Sequence, residues 1–98
     1  MITGKQRAYL KSKSHDMKPL IQIGKNGINE GFLTQLDQLL EDHELVKINI
    51  LQNAPEEGKD YKEEILEKTG AEFVQLIGKK LTIYRPSKED PTIDLKDI

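Results

Sequence analysis

The clearest periodicity in the chain lies in its second quarter. Phe32, Leu33, Leu36, Leu39 and Leu40 recur at i, i+1, i+4, i+7 and i+8, the spacing of one helix face, and Asn29 supplies a side-chain oxygen for the N-cap. Asp42-His43-Glu44 breaks that pattern, and Val46, Ile48 and Ile50 then alternate with Lys47 and Asn49 as in a half-buried strand. Upstream, Thr3 and Gln6 match a capping box, so a first helix is expected from about Gly4 to Asp16. Its apolar content is thin, which places it at the margin of the core. Pro19 disfavours helix at Lys18 and introduces Leu20 to Ile23, a short β-branched run that reads as a buried strand. Gln52 to Gly58 reads as a loop. Asp60 is the expected cap of a third helix carrying Tyr61, Ile65 and Leu66 and ending at Thr69-Gly70. Phe73 to Ile77 and Leu81 to Arg85 are two further strands joined by a Gly78-Lys79 hairpin turn, and Pro86 stops the last one.

The order is therefore α-β-α-β-α-β-β. Strands separated by helices call for parallel crossovers and the closing hairpin for an antiparallel pair, so the expected fold class is α/β, one domain with a mixed four-stranded sheet and three helices. A length of 98 residues suits a single core. Ser87 to Ile98 is acidic and contains Pro91. A frayed tail is the expectation there, the alternative being that Ile93, Leu95 and Ile98 dock on the domain.

Charge changes this picture more than composition does. The formal net charge is −2, yet through Gly27 six Lys and Arg residues face Asp16 alone, and from Ile28 onward nine face sixteen Asp and Glu. Such a division suggests one surface that attracts polyanions and a remainder that repels them, although an ordinary lysine-rich solvated helix would give the same count. Lys11, Ser14 and Lys18 fall within about 40° of Arg7 on a helix long enough to include them, making a basic stripe. No cysteine is present, which excludes a disulfide scaffold, a thiolate metal site and a cysteine nucleophile. The apolar runs are short, so neither a membrane span nor a secretory leader is expected, and a cytoplasmic location follows as an expectation.

Candidate chemistry concentrates at Gly24-Lys25-Asn26-Gly27, between a strand and a helix start. Glycine permits positive φ and close approach of a ligand, the helix N-terminus carries partial positive charge, and Lys25 adds a full one. The spacing fits neither a Walker loop nor a dinucleotide fingerprint. The remaining analogue is the Gly-x-x-Gly loop that clamps a polynucleotide backbone, although many structural turns also hold two glycines and Glu30 competes for the same helix end. Glu63, Glu64 and Glu67 read as a solvated helix face, and His15 and His43 lack ligand-spaced companions. No catalytic residue, metal, cofactor or small-molecule substrate is expected.

Four segments carry a resemblance to the YhbY family of bacterial RNA-binding proteins, which share the CRM domain: Thr3-Gly4-Lys5-Gln6-Arg7, Lys18-Pro19 through Gly27, Glu41-Asp42-His43-Glu44-Leu45 and Tyr84-Arg85-Pro86. The resemblance spans Thr3 to Pro86, leaving residues 87–98 as an acidic tail outside a 1–86 RNA-binding domain. It implies a fold similar to the C-terminal domain of translation initiation factor 3, and a role in gripping ribosomal RNA during assembly of the large subunit. The implied RNA contacts are Gly24, Lys25, Asn26 and Gly27 of the loop, Lys5, Arg7 and Lys11 of the first helix, Lys18 before the loop, and Arg85 at the end of the last strand. Lys79 and Lys80 are weaker candidates. A protein-protein adaptor that uses the acidic helices on assembling ribosomes is the competing expectation.

Overall fold

Seven elements follow in the expected order in the computed structural model, which describes Met1–Ile98: α1 (Gly4–Ser14), β1 (Ile21–Ile23), α2 (Glu30–His43), β2 (Leu45–Ile50), α3 (Gly58–Thr69), β3 (Glu72–Ile77) and β4 (Lys80–Tyr84). Local chemistry sets most of the boundaries. Thr3 Oγ1 accepts from the Gln6 N–H while Gln6 Oε1 accepts from the Thr3 N–H, closing the capping box of α1. Asn29 Oδ1 accepts from the Phe32 N–H at 2.8 Å to start α2. Gly70, at φ 72°, ends α3, and Gly78, at φ 56°, turns the β3–β4 hairpin. Two boundaries differ from expectation by more than one residue. α1 stops at Ser14, one turn short of Lys18. Asp60 lies inside α3 as the partner of its true N-cap, Glu57, whose N–H it accepts at 3.3 Å.

The sheet runs β1-β2-β4-β3, with β1 and β2 parallel and the other pairs antiparallel. Because side chains alternate across a strand, this register sorts them into rows on two faces. On one face Ile21, Ile48, Leu81 and Leu76 form a row, flanked by Ile23 with Ile50 and by Val46, Ile83 and Phe73. α2 and α3 cover this face with Phe32, Leu36, Leu40, Tyr61 and Ile65, forming the main core. On the opposite face the first row, Leu45 and Tyr84 with Glu72 at its β3 end, is joined by Val74 in the one apolar cluster there, and Leu10 of α1 closes over it. Val74 reaches that row through a bulge between Phe73 and Gln75.

Residues 87–95 pack against the domain, which corrects the expectation of a frayed tail, while Ile98 stays exposed. Ile93 and Leu95 join the Leu10 cluster. The anchor is Glu44, only 1% exposed, whose carboxylate accepts from the N–H groups of Ser87, Thr92 and Ile93 and from the Thr92 hydroxyl at 2.7–2.9 Å. Glu41 accepts likewise from the Ser87 hydroxyl and from the N–H groups of Lys88 and Glu89. Burial raises the Glu44 pKa, but the donors of Ser87, Thr92 and Ile93 outweigh it and leave the carboxyl below its ordinary value. Glu41 is lowered by the Lys88 N–H first and then by the Ser87 hydroxyl.

Candidate nucleic-acid interface

The α1 face of the sheet changes character toward the end where β1 and β2 finish. Below the apolar row lies Lys47, Thr82 and Gln75, and below that Gln22, Asn49, Lys80 and Ile77. α1 covers the apolar row and leaves Gln22 and Lys80 exposed and Asn49 and Gln75 half-buried. Lys80 Nζ donates to Asn49 Oδ1 at 3.2 Å, and Lys47 Nζ donates to the Met17 carbonyl at 2.9 Å. These two strand rows hold three amide side chains, two lysines and no carboxylate.

Gly24 to Gly27 forms a turn at the β1 corner of this open half. The Gly27 N–H donates to the Gly24 carbonyl at 3.0 Å, whereas the N–H groups of Lys25 and Asn26 donate to no other backbone group. Lys25 and Asn26 are exposed. Gly27, at φ 62°, needs glycine for its conformation. Gly24 does not: its φ is not positive, and an added Cβ would meet only Leu51 Cδ1 at 3.6 Å. Behind the turn stands the buried Tyr61, whose hydroxyl accepts from the Glu56 N–H at 2.9 Å and ties the 51–57 loop beneath it. Lys79, exposed in the hairpin turn, lies at the same end of the sheet, since its carbonyl accepts from the Ile50 N–H.

The cations of the opening segment do not gather round this turn. α1 packs mainly toward β3, the edge opposite β1, and three strand spacings across the sheet amount to about 14 Å. Arg7 is half-buried and its Nε donates to the Phe73 carbonyl at 3.0 Å, at the end of the sheet away from the turn. Lys5 stands about 160° round the helix from Arg7. Ser14 is 1% exposed, so the row Arg7, Lys11, Ser14 runs along the seam between helix and sheet and is not a solvent-facing basic stripe. Lys11 is exposed and borders the open half beside Gln75 and Ile77. Lys18 lies beyond α1, at the start of β1, with the whole strand between it and Gly24.

Arg85 requires the largest correction. Its side chain is 10% exposed, and its Nη1 donates to Asp37 Oδ1 at 2.7 Å and to the Thr69 carbonyl at 3.0 Å. Nη2 reaches the Asp37 carbonyl, while Nε is buried without a partner. The guanidinium thus braces α2 against the end of α3, on the far side of the sheet from the open half. Sequence reading also missed contributors to the surface: Gln22, Lys47, Asn49 and Gln75 are visible in sequence only as the polar partners of alternating core residues.

Comparison with known proteins agrees with this architecture. The family model for the CRS1/YhbY (CRM) domain matches residues 2–85. The chain belongs to that family. The Bacillus subtilis protein named probable RNA-binding protein YqeI is 39% identical over 95 residues, covering 97% of this chain and 99% of the relative. A Haemophilus influenzae protein named RNA-binding protein is 35% identical, covering 90% and 89%. The solution structure of a Staphylococcus aureus hypothetical protein, SAV1595, superposes with a TM-score of 0.80 at 47% identity, covering 97% of this chain and 99% of that one.

Proposed function

We propose that this CRM domain is a non-catalytic module that binds structured RNA through the open half of its α1 face. The Gly24–Gly27 turn holds the sugar-phosphate chain at one corner. The observation that carries this reading is the sorting of charge between the two sides of the sheet. Lys47 and Lys80 lie with Gln22, Asn49 and Gln75 on the open rows, bordered by Lys11, Lys25 and Lys79. On the other side α2 and α3 together carry eight carboxylates against three lysines, all three of them in α3. A polyanion is therefore oriented as well as held. Exposed aromatic side chains are absent from the two open rows, so phosphate and sugar contacts supply the affinity rather than base stacking. In keeping with the family resemblance, the ligand is ribosomal RNA of the large subunit during its assembly.

The test is binding of a structured ribosomal RNA fragment by proteins altered on either side of the sheet. Lys25→Gln with Lys80→Gln is expected to weaken binding, while Glu63→Gln with Glu67→Gln leaves it intact; equal effects from both pairs would refute the reading. The unbroken acidity of α2 favours a second one, in which that helix docks on a basic ribosomal protein. Reversing Glu30, Asp37 and Asp42 would then abolish association with assembling particles while binding of purified RNA survived.

A further inference from the structure

A second concave feature lies at the start of β1, at the opposite end of that strand from the Gly24–Gly27 turn. It is a groove of about 660 Å³ whose floor and walls include Met17, Leu20, Leu45 and Ile93, with Lys13, Lys18 and His43 round it. That volume falls within the ~300–1,000 Å³ of sites that accept small organic groups. Leu20 is 41% exposed, high for a leucine at a strand entrance. No carboxylate lines the groove, although the chain holds 17 Asp and Glu residues. Apolar walls inside a cationic rim suit a ligand with a flat, weakly polar body and an anionic edge.

We infer that this groove receives one unpaired nucleotide of the RNA held on the α1 face, an inference that rests on the RNA-binding reading above. The base would lie against Met17, Leu20 and Ile93 with the His43 imidazole as a flat neighbour, and Lys13 and Lys18 would meet the flanking phosphates. The groove wall neighbours the open face, because Lys47 of the middle row donates to the carbonyl of Met17 in that wall. A peptide is the weaker occupant. The N–H of Leu20 donates to the Lys47 carbonyl, and those of Thr92 and Ile93 donate to Glu44, so these three wall residues have no main-chain donor left for a peptide strand. The docked tail gains a role here, since Thr92 and Ile93 are the wall it contributes, fixed in place by Glu44.

The experiment compares two hairpin RNAs identical except for a single-nucleotide bulge in one stem. The unaltered protein is expected to bind the bulged hairpin about tenfold more tightly, near the lower end of what holding one base against protein supplies. Leu20→Glu should remove that preference while leaving affinity for the fully paired hairpin unchanged. A direct measurement on the unaltered protein accompanies it: the bulged RNA should shift the methyl resonances of Leu20, Leu45 and Ile93, and the paired RNA should not. Equal affinity for the two hairpins, a preference that survives Leu20→Glu, or unmoved methyl signals would overturn the groove assignment while RNA binding stood. Failure to bind either hairpin would overturn the RNA reading itself, and the groove assignment with it.

Discussion

Salt dependence of RNA binding offers the most quantitative check, because the structure limits how many charges can take part. Lys11, Lys25, Lys47, Lys79 and Lys80 lie on or beside the open half of the α1 face. Arg7 and Arg85 are left out, since Arg7 sits on the Phe73 carbonyl at the far end of the sheet and Arg85 holds Asp37 on the opposite side. For a fully paired RNA, which leaves Lys13 and Lys18 of the groove unused, five neutralised phosphates give a slope of log K against log salt between about −3.5 and −4.5, the single-strand and duplex limits. Raising salt fourfold then weakens binding by roughly 130- to 510-fold. Replacing Lys25 and Lys80 by Gln removes two of the five, so the slope should fall to about −2.1 to −2.7 and the loss to roughly 20- to 40-fold. Both side chains are exposed, and the only one with a protein partner is Lys80, on Asn49, so the fold is expected to be unchanged. Fluorescence anisotropy across a salt series, with circular dichroism as the folding control, measures both quantities. The control Glu63→Gln with Glu67→Gln makes the net charge more positive on the opposite side, and its slope should match the unaltered protein. An unchanged slope in the lysine pair, or an equal change in the glutamate pair, would refute a local interface.

The two loop glycines should separate conformation from contact: Gly27→Ala, at φ 62°, is expected to cost about 1–2 kcal/mol in a urea titration, whereas Gly24→Ala should leave stability within about 0.5 kcal/mol and weaken RNA binding only if the ligand approaches that backbone. Glu44→Gln removes a buried carboxylate that accepts four hydrogen bonds and should destabilise by about 2–4 kcal/mol, with hydrogen exchange rising first at Thr92 and Ile93. Because the native pKa of Glu44 lies below the ordinary 4.5, its contribution is complete above pH 4.5 and disappears as pH falls through the lower native value; acid titration of the unaltered protein should loosen the tail in that window, and the Gln variant should lack this step. Arg85→Ala should cost about 1–3 kcal/mol, with Asp37 half open to water setting the lower end, while RNA affinity of the folded protein stays the same; a loss of affinity without loss of stability would return Arg85 to the interface.

The order and type of the elements were legible because each rested on a local cause. The α2 face repeats at helical spacing, Thr3 with Gln6 and Asn29 with Phe32 close their caps, and glycine at 70 and 78 takes the positive φ expected of it. The docked tail was not legible. Its principal partner is a glutamate between α2 and β2, 43 to 49 residues away, and from the sequence Glu44 reads only as the residue that ends a helix. Even its backbone, at φ 66° without being glycine, has no sequence signature. The site was half legible for the same reason. The Gly24–Gly27 turn is contiguous and could be read directly, but the surface beside it is assembled from three non-adjacent segments and depends on sheet register.

That dependence on register explains why the linear charge division and the proposed interface do not coincide. Counting along the chain puts the positive end in the first 27 residues, yet α1 spends Arg7 on the sheet and turns Lys5 to the other side. The lysines of the open rows come from the acidic remainder, Lys47 from β2 and Lys80 from β4, and they meet only because Lys47 pairs with Thr82 while Asn49 pairs with Lys80. A shift of one residue in that pairing would send Lys47 and Asn49 into the core and Ile48 out to solvent. The buried rows under α2 and α3 therefore fix the proposed interface as firmly as they fix the fold, and in a chain of net charge −2 the lysines of its open rows come one each from β2 and β4.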